Sequence, residues 1–194
     1  MLDNWPIFFS DSEPVAFWLR ETFPSRWVRF HSLPGSKRYP DDEGELAIVL
    51  GRQNRVLDEL VGSVGSVVLL TTDYRPPPGI IEISDSGKPE LRAFDMDARH
   101  WRTVLMNDPD VGFEPGNCWD VFASEWQWRP GRLDPVLRLV ADNRVSNVMV
   151  VDPGCKWLFH PYDGGMDLIL ESPAARDRIK SAHADWLSLR PDGH

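Results

Sequence analysis

A chain of 194 residues, 42% hydrophobic and 26% charged, has the length of one ordinary globular domain and too much apolar mass for wholesale disorder. Nine tryptophans and nine phenylalanines supply a ring-rich core, each ring able to bury about 150–250 Å². A net charge of −9, only two cysteines and no apolar run near the roughly 18–20 residues that span a bilayer argue against a broad duplex nucleic-acid footprint, a disulfide scaffold, a zinc module and a membrane protein.

Taken in chain order, Ser12, Glu13 and Pro14 predict a helix start, with Val15, Trp18, Leu19 and Thr22 at helical spacing and Pro24 as the stop. Trp27–His31 reads as a short strand with Val28 and Phe30 on one face, and the Gly- and Pro-containing stretch 33–40 as a loop. Asp41 and Asp42 open the clearest helix. Its stripe is Leu46, Val49, Leu50, Leu57, Leu60 and Val61, and Gly62 fits the position just past its end. Val67–Thr72 is a continuous apolar strand, expected to be central and covered on both faces, closed by a stiff Arg75–Gly79 turn.

Beyond it, Ile80–Ile83 reads as a strand and Asp97–Met106 as a helix capped by Asp97. Trp119–Trp128 reads as a strand with Phe122, Ser124, Trp126 and Trp128 on one face. Asp134 is expected to cap a helix beginning at Pro135, with Val136, Leu137 and Val140 on its apolar side. An antiparallel meander follows in strands Val145–Val151, Lys156–His160 and Met166–Leu170, with turns at Asp152–Gly154 and Pro161–Gly165. Ser172 and Pro173 begin a last helix whose buried stripe is Ile179, Ala182, Trp186 and Leu189. The expected fold is α+β: a single domain over residues 1–194, with a largely antiparallel sheet, a C-terminal meander and about four flanking helices.

Two segments concentrate polar chemistry. The loop 33–40 joins a strand to a helix start. Arg29 and His31 stand before it, and Ser36, Lys37, Arg38 and Tyr39 lie within it. Free N–H groups at a helix start favour a phosphate or carboxylate, but Gly-Lys-Ser/Thr spacing is missing, so this is no P-loop. Asp41, Asp42, Glu43 and Glu45 offer the plainer alternative of internal salt bridges. The second segment, His160 to Asp167, places His160, Tyr162, Asp163 and Asp167 within eight residues, a set suited to acid–base work or cation binding. Its plainer reading is a tight hairpin, for which Asp163, Gly164 and Gly165 are the right residues.

Three other features are weaker. Asp95, Asp97 and His100 could hold a divalent metal, but helix capping by Asp97 explains half of that pattern. Trp119, Trp126 and Trp128 could form an aromatic platform for a base or ligand, with core or a partner interface as the plainer reading. Residues 81–125 carry ten acidic against four basic side chains, either a solvated face or a surface for a basic partner. Nucleophile-elbow, dinucleotide and paired-histidine zinc motifs are lacking, and nothing marks either cysteine as a nucleophile.

The runs Trp27–Pro40 and Trp157–Asp167, with Trp186-Leu187-Ser188, resemble a family of uncharacterised bacterial cytosolic proteins. The second run is also similar to a short bacterial domain of unknown function, sometimes suggested to bind RNA, whose turn reads Tyr-Asp-Asp-Arg-Gly-x-Asp. Here Tyr162–Asp167 is one residue shorter and lacks the Arg, so an RNA role resting on that Arg does not carry over. The resemblance implies no established activity, only that both segments belong to one site.

The expected function is a non-enzymatic binding protein with an anion or phosphate-group site. In it Arg29, Lys37 and Arg38 hold the anion, His31, Ser36, Tyr39, His160 and Tyr162 orient it, and Asp163 and Asp167 fix the basic side chains. The partner is a small anionic ligand or a protein. No cofactor or bound metal is expected, and with no signal peptide visible the expected compartment is the cytoplasm. The alternatives are an acidic protein-binding module, such as a toxin-immunity protein, and a metal-dependent phosphoester hydrolase using His160, Asp163 and Asp167.

Overall fold

In the computed structural model, residues 2–10, 12–62, 65–77, 79, 86–106 and 116–188 are described. Among them the elements run α1 (Trp5–Phe8), α2 (Ala16–Thr22), β1 (Trp27–His31), α3 (Glu43–Val61), β2 (Ser66–Arg75), α4 (Lys88–Phe94) and β3 (Arg99–Leu105). They continue with β4 (Cys118–Gln127), α5 (Asp134–Ala141), β5 (Met149–Val151), β6 (Leu158–Tyr162), β7 (Gly165–Ile169) and α6 (Pro173–Ala182). The seven strands form one antiparallel sheet in the order β1-β7-β6-β5-β2-β4-β3. The α+β class and the C-terminal meander are thus present, and the sheet is an open one.

Strand alternation sends successive side chains to opposite faces, and both faces are covered. Val67 and Leu69 of β2 pack on one side with Val56 and Leu57 of α3, Leu91 of α4, Val136, Leu137 and Val140 of α5 and Ile179 of α6. Val68 and Leu70 pack on the other with Trp5 of α1 and Ala16 and Leu19 of α2. β2 has a strand on either side and lies inside the sheet, so its unbroken apolar run follows from double burial.

Several local expectations are corrected. The helix expected over Asp97–Met106 is strand β3, paired with β4 through a bulge between His100 and Arg102. Trp101, Thr103 and Val104 suit a pleated surface better than a helix, and the helix comes earlier, at α4. α2 begins at Ala16 without a side-chain cap of its own. Asn147, 131 positions away, accepts the Ala16 N–H at Oδ1 (3.1 Å), so Ser12 is not needed there. Asp134 is the first residue of α5, not its cap, and its carboxylate takes Asn54 Nδ2 at 2.7 Å.

The meander strands are shifted or shortened. The expected strand from Val145 contracts to β5 because Asn147 adopts φ 47°. β6 starts at Leu158, after the positive-φ Cys155, and runs through Pro161, which lies beyond the end of β5. In the last helix Ala182 is exposed and Trp186 belongs to a following 3-10 turn. Ile80–Ile83 and Leu189 lie outside the described residues.

Candidate functional site

The site is built by register. Arg29 of β1 lies opposite Asp167 of β7, which lies opposite His160 of β6. The next row is His31, Gly165 and Tyr162. Both rows share the face on which Ile169 and Leu158 join the core beneath α1 and α2. An apolar row thus gives way to two polar rows at the edge of the sheet.

Arg29 grips Asp167 through two hydrogen bonds, Nε to Oδ1 at 2.8 Å and Nη2 to Oδ2 at 3.0 Å. The two side chains are only 14% and 7% exposed. Arg20 of α2 brings a second guanidinium to 4.0 Å of the same carboxylate. Burial pulls the Arg29 pKa down, but its hydrogen bonds and charge interaction with Asp167 outweigh that and hold it above the ordinary value. The Arg29 guanidinium also lies 5.1 Å from the centre of the Tyr162 ring.

Tyr162 lies over Gly165, where an added Cβ would meet the Tyr162 hydroxyl oxygen at 2.6 Å and the Phe30 carbonyl oxygen at 2.4 Å. The glycine is there for close approach. Asp163 forms the tight turn with Gly164 and receives Arg38 Nε and Nη2, each at 2.9 Å. Asp163 is buried while Arg38 is 65% exposed along its side chain, so the carboxylate is the fixed partner and the guanidinium faces solvent.

Arg29, His31, Ser36, Arg38, Tyr162 and Gly164 surround a cavity of about 180 Å³. Gly35 and Ser36 turn the chain into it with φ of 67° and 59°, and a positive φ at a serine is uncommon. His31 Nε2 is buried and makes no hydrogen bond among the described residues. Burial, then the charges of Arg29 and Arg52, lower the His31 pKa, so it is neutral near pH 7. Burial and then Asp167 raise that of Tyr162, which keeps its hydroxyl proton.

Three expected site residues sit differently. Lys37 is held by Asp41 (2.7 Å) and Glu45 and does not line the cavity. Glu45 also accepts the Asp41 N–H at 2.7 Å, and Asp42 accepts the Glu45 N–H at 2.9 Å, so acids of its own segment satisfy the α3 start. Tyr39 stands at the rim with the Arg38 guanidinium 5.3 Å from its ring centre, and Asp163 raises its pKa. His160 lies one row behind the cavity with Nδ1 donating to the Val148 carbonyl at 2.8 Å. Burial lowers its pKa, so the neutral ring presents Nε2 as an acceptor. Sequence reading missed Arg20. Its signal was an arginine one helical turn from Ala16, legible only once α2 is known to lie over β7.

The weaker candidates separate. Asp95 is buried behind α4, with Ser124 Oγ donating to it at 2.8 Å, while His100 of β3 faces Thr103 and Asp120. Among the described residues no group of three or more His, Cys, Asp or Glu is arranged to hold a metal. Trp119 packs on the α1–α2 face, whereas Trp126 stacks on Phe94 on the opposite one, so the three tryptophans share no platform. In the acidic middle, Asp120 pairs with Arg75 and Glu90 with Arg144. Residues 80–85 and 107–115 lie outside the described set. No described helix is long and apolar enough to cross a membrane.

Residues 15–191 match the model of a family described as a domain of unknown function, DUF3885. No curated protein and no solved structure matches the chain.

Proposed function

The chain belongs to the DUF3885 family, and on that footing we propose that it is a single-domain, cytoplasmic bacterial binding protein with no catalytic step. Its site takes a small anion or phosphate group in the cavity between the 29–39 segment and the 160–167 hairpin. One observation carries the reading: two arginines, each oriented by a buried carboxylate, border one cavity with neutral hydrogen-bonding groups between them. Three guanidiniums, Arg20, Arg29 and Arg38, meet two carboxylates, Asp163 and Asp167. Arg20 lies as near to Glu21 (3.9 Å) as to Asp167, so the support comes from orientation and not from excess charge: a planar guanidinium already held in place loses little freedom on binding an oxyanion.

The volume of about 180 Å³ compares with roughly 30 Å³ for each water in the liquid, room for one tetrahedral anion with part of its solvation. His31, Ser36 and Tyr162 line it as neutral polar residues. A hydrolase built on Asp163 and Asp167 is less well supported, because an arginine closes each carboxylate. Lys37 drops out of the proposed contact set, being neutralised by Asp41 and Glu45.

The test is thermal unfolding against inorganic phosphate, sulfate, nucleotides and short RNAs. A ligand at 100 times its Kd adds about 2.7 kcal/mol, several degrees for a chain of this size. Arg38→Gln, on an exposed side chain, should abolish the shift, while Lys37→Ala should leave it intact. A shift that survives Arg38→Gln, or none with any phosphorylated compound, overturns the reading.

A further inference from the structure

On the opposite face of the sheet, the C-terminal end of α3, helix α6 and the β5–β6 turn enclose a groove of about 510 Å³. That volume falls within the roughly 300–1,000 Å³ typical of small-molecule sites. Its apolar lining comes from Leu60, Trp157, Leu170 and Ile179, the last three buried to within 8% of their surface. The α6 wall is Ala175, Arg178, Ile179 and Ala182, at helical spacings of three and four. The exposed Ala182 is where the apolar stripe of α6 leaves the core and enters the groove.

The charged groups around it divide into used and unused. Glu59 takes Arg55 at 2.7 Å and His183 at 2.9 Å, and Asp152 takes the Lys156 backbone N–H at 3.2 Å. By contrast the Lys156 ammonium, the Arg178 guanidinium and the Glu171 carboxylate, all bordering the groove, make no hydrogen bond or ion pair among the described residues. An apolar lining edged by unpaired groups of both signs complements a ligand with an apolar body and both charges.

We propose that this groove is a second binding site, for an amphipathic zwitterion of the α-amino-acid type with a large apolar side chain. The side chain lies on Trp157, Leu170 and Ile179, the carboxylate meets Arg178 and Lys156, and the ammonium meets Glu171. The site is independent of the anion cavity and stands or falls apart from it.

The experiment is calorimetric titration of the whole chain with L-phenylalanine, phenylacetate and phenethylamine, which share a ring and differ in charge. L-Phenylalanine should bind at least tenfold more tightly than either singly charged compound. Arg178→Gln should remove its advantage over phenethylamine, and Glu171→Gln its advantage over phenylacetate. Ala182→Trp, filling the groove from an exposed position, should abolish binding, and Arg38→Gln should change nothing. No saturable binding of L-phenylalanine, equal affinity for a singly charged compound, or binding that persists in Ala182→Trp would each overturn the proposal.

Discussion

Arg29 and Asp167 sit directly opposite each other on β1 and β7 and are joined by two hydrogen bonds of 2.8 and 3.0 Å. Both are largely buried, so desolvation offsets much of their attraction, and the pair serves orientation more than stability. Removing one partner is another matter, because it strands a buried charge. Asp167→Ala should lose about 3–5 kcal/mol, measured as a lower urea midpoint at unchanged slope. The double variant Arg29→Met/Asp167→Leu should recover most of that loss while remaining unable to bind anions. If Asp167→Ala unfolds at the wild-type midpoint, the pair is not the anchor described.

Gly165 tests the close approach of Tyr162. A methyl group there would lie 2.4 Å from the Phe30 carbonyl oxygen, a backbone atom that cannot yield without parting β1 from β7. Gly165→Ala should cost at least about 2 kcal/mol, in the range of overpacked interiors. Tyr162→Phe should not rescue it. Gly164→Ala should be much milder, since its nearest neighbour is Arg38 Cγ at 3.1 Å, part of an exposed and flexible side chain.

Periodicity and end signals made most of this fold legible. Trp27–His31 alternates and is β1, and Asp42 and Gly62 bracket α3 as cap and stop. What stayed hidden was set by distant partners. Thr103 and Val104 lie in a strand because β4 pairs with them, and α2 starts where Asn147 reaches it. The site followed the same division. Both segments could be named from composition, yet which basic groups face the cavity depended on register and on competing acids. Arg29 and Arg38 are oriented there by Asp167 and Asp163, while Glu45, eight residues along the chain, holds Lys37 elsewhere.

Asn147 replaces a helix cap from across the sequence. Its Oδ1 accepts the Ala16 N–H, and its Nδ2 donates to the Pro14 carbonyl at 3.1 Å and to Thr72 Oγ1 at 2.8 Å. Two buried groups and the half-buried Thr72 hydroxyl lose a partner in Asn147→Ala, and alanine must take up the positive φ of 47° there. The variant should be destabilised by about 2–4 kcal/mol in total. Amide exchange at Ala16 should rise more than exchange in α3. Equal acceleration in both helices would mean that Asn147 contributes only to global stability.

The histidines and Asp95 should shape opposite flanks of the stability–pH profile. Burial lowers the pKa of His160 and of His31 in the folded chain. The unfolded state therefore binds more protons as pH falls through the ordinary histidine value near 6.5, and stability drops on that side. Asp95 has the reverse sign. It is 2% exposed, its Oδ1 has no hydrogen-bond partner among the described residues, and burial raises its pKa. Between the ordinary aspartate value near 3.9 and its higher folded value, the native state holds the extra proton. Stability then declines as pH rises through that window and stays lower above it. Asp95→Asn keeps the shape and an acceptor for Ser124, so it should be at least as stable as wild type at pH 7 and lose that advantage below about pH 4. Urea midpoints of both proteins from pH 3.5 to 8 provide the measurement. A variant less stable than wild type at pH 7 would show that the Asp95 carboxylate is held as a favourable charge, not a buried cost.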